Sequence, residues 1–194
     1  MKRVGVIDYG TGNLRSVVKA FEYTGAKVSI INEPVEFTEI DALVFPGQGT
    51  FDQCMDSLVE TGLDKFIIKW IEADKPYFGI CLGLQVLFPS SEEGQASGLG
   101  LVDGEVKRFR LNSGLKIPHM GWNNLKIEKD SVFMKKLKLK TQLSDVNAYF
   151  VHSYNFITDE KKNKIMTTNY GQEITAMVAK DNIIGTQFHP EKSH

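Results

Sequence analysis

The 194-residue chain is 42% hydrophobic and 24% charged, and its basic and acidic residues nearly cancel to a formal net charge of −1. One well-buried domain spanning 1–194 accounts for that length, removing about 70% of the unfolded surface from water, and the scattered charge offers no footprint for nucleic acid. Two cysteines, the absence of a signal-like leader and the lack of any apolar stretch near ~18 residues point to a cytoplasmic, reducing setting, without a membrane anchor or disulfide framework.

In chain order, the pattern predicts a strand over Arg3 to Ile7, a glycine-rich loop to Asn13, and a helix from Leu14 to Thr24 that Gly25 stops. A strand at Lys27 to Ile31 precedes Pro34. Another, Ala42 to Phe45, runs into Pro46-Gly47-Gln48-Gly49, followed by helical segments over roughly Asp52 to Glu72 and a strand at Tyr77 to Ile80. These strands are continuously apolar and alternate with helices, which argues for a parallel sheet covered on both faces. Ligands bind such sheets outside the carboxyl ends of the strands, where Gly49 and Cys81 fall.

Cys81 lies between Gly79-Ile80 and Leu82-Gly83, at the turn from the last of these strands into an apolar helical pattern. The glycines are expected to permit strained or positive φ values and leave the sulfur uncrowded, while the following helix aims its positive end at the thiol. A helix N-terminus and a nearby imidazolium lower a thiol pKa from about 8.5 to roughly 3.5–7.5, the range of a nucleophile. Cys54, beside Met55 in a helical pattern, reads as a packing residue.

Beyond Phe88 a polar, glycine-rich stretch over Ser90 to Gly100 gives way to strand patterns near Glu105 to Phe109, Asn124 to Glu128, Tyr149 to Tyr154, Lys164 to Asn169, Thr175 to Ala179 and Ile183 to Phe188. Mixed or antiparallel pairing is expected there, extending the sheet. The last strand ends in His189-Pro190-Glu191. If that segment stays extended, Glu191 shares a face with His189 and can fix its tautomer while the other nitrogen faces Cys81. The Pro46 to Phe51 loop supplies candidate oxyanion donors near Gln48 or Gly49, to join the amide of Leu82. Gly10-Thr11-Gly12 begins like a dinucleotide fingerprint, but Arg15 stands where the third glycine belongs and no P-loop lysine follows. His119, His152 and His194 show no metal-ligand spacing, so no metal or cofactor is expected.

The segment around Cys81, the PGQG loop and the HPE tripeptide together resemble the class I, or triad, glutamine amidotransferases. Asp8 to Leu14, Pro118 to Asn123 and Tyr149 to Tyr154 narrow the resemblance to the glutaminase subunits of imidazole glycerol phosphate synthases. It covers Val4 to Ser193 and implies a flavodoxin-like α/β fold, an open, mostly parallel sheet flanked by helices with added antiparallel strands in the second half. It also implies that Cys81 attacks the side-chain amide of L-glutamine, His189 serves as acid and then base, and Glu191 orients His189. Gln48, Gly49 and Leu82 would form the oxyanion hole. Gln85 and Glu93 would recognise the amino-acid end of glutamine, with the backbone at Ser153 and Tyr154 closing over it. The implied partner is a TIM-barrel cyclase subunit that receives the ammonia in a heterodimer, facing Asn13, Met120, Trp122, Tyr149 and Lys192; core packing competes as an account of Met120 and Trp122.

Gln48 departs from the valine usual at its position, and family members usually continue with a helix beyond the position of His194. Three other readings remain open: a paralogous glutaminase serving an amidino-sugar synthase, a stand-alone γ-glutamyl hydrolase, and a non-catalytic binding subunit.

Overall fold

The computed structural model describes residues 1–10, 13–111, 114–127, 146–158 and 163–193. β1 (Arg3–Ile7), β2 (Lys27–Ile31), β3 (Ala42–Gly47) and β4 (Tyr77–Cys81) enclose α1 (Leu14–Tyr23), α2 (Phe51–Thr61) and α3 (Leu63–Glu72), and a single helical turn, α4 (Leu82–Gln85), follows β4. The later strands are β5 (Glu105–Arg108), β6 (His119–Asn124), β7 (Lys126–Ile127), β8 (Asn147–His152), β9 (Tyr154–Ile157), β10 (Lys164–Asn169), β11 (Glu173–Lys180) and β12 (Ile183–Thr186), and a 3₁₀ turn occupies Pro190–Lys192. The main sheet runs β2-β1-β3-β4-β12-β11-β10-β7. β2, β1, β3, β4 and β12 are parallel, and β12 through β7 are antiparallel.

Successive side chains of a strand point to opposite faces, and both faces of the parallel part are covered. Val4, Val6, Val44 and Ile80 pack with Val17, Leu14, Val18 and Phe21 of α1, whose i, i+3, i+4, i+7 spacing makes one apolar stripe. Ile7, Leu43, Phe45 and Tyr77 pack on the other face with Phe51, Leu58, Phe66 and Trp70 of α2 and α3. Gly62, in the left-handed region at φ 74°, ends α2 and admits α3.

The second half differs from the sequence pattern in detail. Only β7, β10, β11 and β12 extend the main sheet, while β5–β9 and β6–β8 form separate antiparallel pairs. The strand expected from Asn124 to 128 is instead the end of β6 followed by the short β7, with residue 128 outside the described residues. Pro118 to Asn123, read only as a motif, supplies most of β6. The strand expected over Tyr149 to Tyr154 breaks at Ser153, and β12 stops at Thr186, before His189. No helix among the described residues is long and apolar enough to cross a membrane.

Candidate active site

β3, β4 and β12 are neighbours in the sheet, so their carboxyl ends bring the PGQG loop, Cys81 and His189 to one edge. Cys81 itself takes the strained conformation, with φ 53° and ψ −109°. Gly79 and Gly83 have a different task from the one expected. A Cβ on Gly83 would lie 1.8 Å from the Phe45 carbonyl oxygen and one on Gly79 would lie 2.5 Å from the Gly83 carbonyl oxygen, so these glycines let α4 press backbone-to-backbone on β3 and β4. α4 is also a single turn. Four residues align too few peptides for the helix dipole that the sequence pattern suggested.

The segment after β12 is not extended at Glu191, as the face-sharing geometry supposed. Pro190–Lys192 turn as a 3₁₀ helix, and Glu191 still reaches His189, whose Nδ1 lies 3.0 Å from Glu191 Oε1. Both side chains are almost fully buried. The turn is clamped by β8: the His189 N–H donates to the Tyr149 carbonyl (2.9 Å), and Ser193 Oγ accepts the Tyr149 N–H (3.0 Å) while donating to the His189 carbonyl (2.7 Å). His189 Nε2 is buried on the side of the ring that faces the Cys81 sulfur. Burial opposes charge on His189, but the facing Cys81 sulfur and the Glu191 carboxylate outweigh it and raise the imidazole pKa to about 9.

Around these groups lies a cavity of about 430 Å³ lined by Gly47, Gln48, Gly49, Cys81, Leu82, Gln85, Glu93, His152, Ser153, Tyr154, His189 and Lys192 among others. Glu93 Oε2 accepts the Phe51 N–H at the start of α2 (2.9 Å), and burial raises the Glu93 pKa despite that bond. Gln85 is buried, not solvent-facing. Its Nε2 donates to Gln187 Oε1 (2.9 Å) and to the Tyr154 carbonyl (3.4 Å). Gln187 in turn donates to Cys81 Sγ at 3.4 Å. The sequence reading missed Gln187; the available signal was an amide side chain placed, after Thr186, in an otherwise apolar strand pattern leading into His189.

In the PGQG loop Gly49 takes φ 94°, but the Gln48 N–H points to the Tyr9 hydroxyl (2.7 Å), and that hydroxyl donates to the Gln48 carbonyl. The expected donor is thus engaged by Tyr9. Met120 and Trp122 are 61% and 50% exposed, which removes the core-packing account of both. Lys192 Nζ lies 5.8 Å from the Tyr149 ring, and Asn13 sits apart from the cavity at the start of α1, its side chain accepting from Ser16 Oγ (2.9 Å). Cys54 is fully buried, and burial pushes its thiol pKa far up, as befits a packing residue. Among the described residues no group of three or more His, Cys, Asp or Glu could hold a metal ion.

The model of the glutamine amidotransferase class-I family matches residues 5–194. The chain belongs to the class I glutamine amidotransferases. Within that family it is 44% identical over 193 residues to imidazole glycerol phosphate synthase subunit HisH 2 of Methanococcus maripaludis, covering 98% of this chain and 93% of that one. It is 42% identical to the chloroplastic imidazole glycerol phosphate synthase hisHF of Arabidopsis thaliana, of which it spans only 32%. The amidotransferase fold is shared with a structure of PurLQS from Thermotoga maritima, at a TM-score of 0.76 and 21% identity over 99% of this chain and 89% of that one.

Proposed function

We propose that this chain is a glutaminase subunit that hydrolyses L-glutamine through Cys81, His189 and Glu191. Its ammonia would pass to a TIM-barrel cyclase subunit forming imidazole glycerol phosphate and aminoimidazole carboxamide ribonucleotide in histidine biosynthesis. The observation that carries the reading is the placement of His189 between the Glu191 carboxylate and the Cys81 sulfur at the wall of the cavity. In the reaction the Cys81 sulfur adds to the amide carbon of glutamine, the C–N bond breaks, and His189 gives its proton to the departing ammonia. Water then adds to the γ-glutamyl thioester while His189 takes a proton, releasing glutamate and restoring the thiol. Acid–base assistance of this sort is worth about 10²- to 10⁴-fold.

Gln85, Glu93 and the backbone at Ser153 and Tyr154 line the cavity and suit the amino-acid end of the substrate. Leu82, Gly49 and a reoriented Gln48 are the oxyanion donors in this reading. Gln48 reaches that state only when its contact with Tyr9 opens, so activity is expected to be low in the isolated chain. Exposed Met120 and Trp122, with Tyr149, Lys192 and Asn13, form the partner face of a heterodimer, and a cytoplasmic setting suits the two free thiols.

The test is glutamine hydrolysis by the purified chain alone, with a cyclase subunit, and with that subunit and its nucleotide. Strong stimulation in the last case is expected. Stimulation only by an amidino-sugar synthase, or full activity without any partner, overturns the assignment.

A further inference from the structure

β6 alternates two faces. Met120 and Trp122 lie on the exposed face, while His119, buried, and Asn123, half-buried, lie on the opposite face, the one that also carries His152 of β8. The inward pair joins His152 of β8, directly opposite His119 in the ladder, in a run of hydrogen bonds whose His119–His152 link is buried and whose ends are part-buried. Asn123 Nδ2 lies 3.3 Å from His119 Nε2, His119 Nδ1 lies 3.0 Å from His152 Nε2, and His152 Nδ1 lies 2.7 Å from the Tyr154 carbonyl oxygen.

Chemistry fixes the order of protons along this run. A carbonyl oxygen only accepts, so His152 carries its proton on Nδ1; in the neutral ring Nε2 is then an acceptor, and His119 must donate to it from Nδ1. His119 Nε2 is left to accept from Asn123, whose Nδ2 also donates to the Asn169 carbonyl (2.8 Å). A second proton on either ring would set N–H against N–H. Both rings lie among aromatic faces, Phe150 and Tyr170 stacked on His119 and Phe109 edge-on to His152. The titratable groups that face them are Tyr170 and His189, and among the described residues no carboxylate pairs with either ring. Burial accordingly lowers the pKa of His119 to about 4 and of His152 to about 3.

The far end of the run meets the reacting sulfur. The Tyr154 carbonyl that accepts the His152 N–H also accepts from Gln85 Nε2, Gln85 donates to Gln187, and Gln187 donates to Cys81 Sγ. From these contacts we infer that His119 and His152 are positioning residues for the glutaminase reaction: a neutral, proton-ordered pair that fixes the Tyr154 carbonyl and, through Gln85, holds the Gln187 amide on the Cys81 sulfur. The inference rests on the glutaminase reading for its consequence in turnover, but its geometry concerns the thiol alone.

The test therefore reads the thiol directly. Alkylation of the full-length chain by iodoacetamide is followed at the Cys81 peptide across pH, in parallel with partner-stimulated glutamine hydrolysis. His152→Phe and His119→Phe keep the aromatic packing and remove the hydrogen bonds. Each is expected to slow Cys81 alkylation at neutral pH about 3- to 10-fold, as loss of one stabilising hydrogen bond to the thiolate would. His119→Asn places an amide N–H where Nδ1 stood and is expected to restore most of the rate. Partner-stimulated kcat should fall in the phenylalanine variants more than KM rises. Should a phenylalanine variant fail to fold, Asn123→Ala, which adds no bulk, decides by the same readout. Unchanged alkylation profiles in the folded variants overturn the relay. A wild-type chain that no cyclase stimulates overturns the assignment to a cyclase partner and leaves the alkylation result standing.

Discussion

Cys81 illustrates why a residue's neighbours matter more than its type. Its positive φ, in a region that costs a non-glycine residue about 1–3 kcal/mol, survives because Gly79 and Gly83 pack backbone against backbone around it. Gly83→Ala is expected to cost at least ~2 kcal/mol, because the added Cβ meets the fixed Phe45 carbonyl and not a movable side chain; urea unfolding measures it. His189 offers a second measurement at this scale. Its pKa is raised to about 9 against an ordinary 6.5, so the stabilisation from its charged contacts is complete below pH 6.5 and is lost as pH rises through about 9. In Glu191→Gln the pKa of His189 should drop, moving the alkaline limb of glutamine turnover to lower pH, and kcat should fall by roughly 10²-fold. An unmoved limb would show that Glu191 does not hold the imidazole. The two residues were legible as a pair from the HPE tripeptide, though the turn that joins them was not, because a short 3₁₀ turn leaves no period in three residues.

Among the elements, β6 shows what a strand can separate. Its outward Trp122 is half-exposed and meets the Tyr149 ring edge-to-face, whereas its inward His119 is buried, stacked and hydrogen-bonded. Trp122→Ala is expected to change stability by no more than about 0.5 kcal/mol while weakening affinity for a cyclase subunit about tenfold or more. Thermal melting and a binding titration separate the two effects, and unchanged affinity would remove Trp122 from the partner face. The α2–α3 junction offers a contrasting case. Gly62 at φ 74° ends one helix and admits the next, so Gly62→Ala should destabilise the chain by about 1 kcal/mol without any change at the cavity. β1, β3 and β4 were readable because burial on both faces writes a continuous apolar run. β6 was not: its outward face carries Met120 and Trp122 and its inward face carries His119 and Asn123, which is neither an apolar run nor a polar-out alternation.

For the molecule as a whole, the buried His119–His152 pair predicts an acid limit on stability. Each imidazole has its pKa lowered by burial, to about 4 and about 3, against 6.5 unfolded, so the neutral pair's contribution is whole above pH 6.5 and is lost as pH falls through about 4 and then 3. The urea midpoint should fall over that window, and the fall should flatten in a His119→Asn, His152→Asn double variant; equal slopes would place the acid sensitivity elsewhere. The sequence by itself determined the alternation of apolar strands and helices, hence a parallel sheet, and the motifs at Cys81, PGQG and HPE that mark its carboxyl edge, because each is written in neighbouring residues. Only the tertiary structure decided the strand order that sets β12 beside β4, the commitment of the Gln48 N–H to Tyr9, and the path from Asn123 to the Cys81 sulfur. Those contacts join residues far apart in the chain through single hydrogen bonds, and no local period or composition records which distant partner a donor will meet.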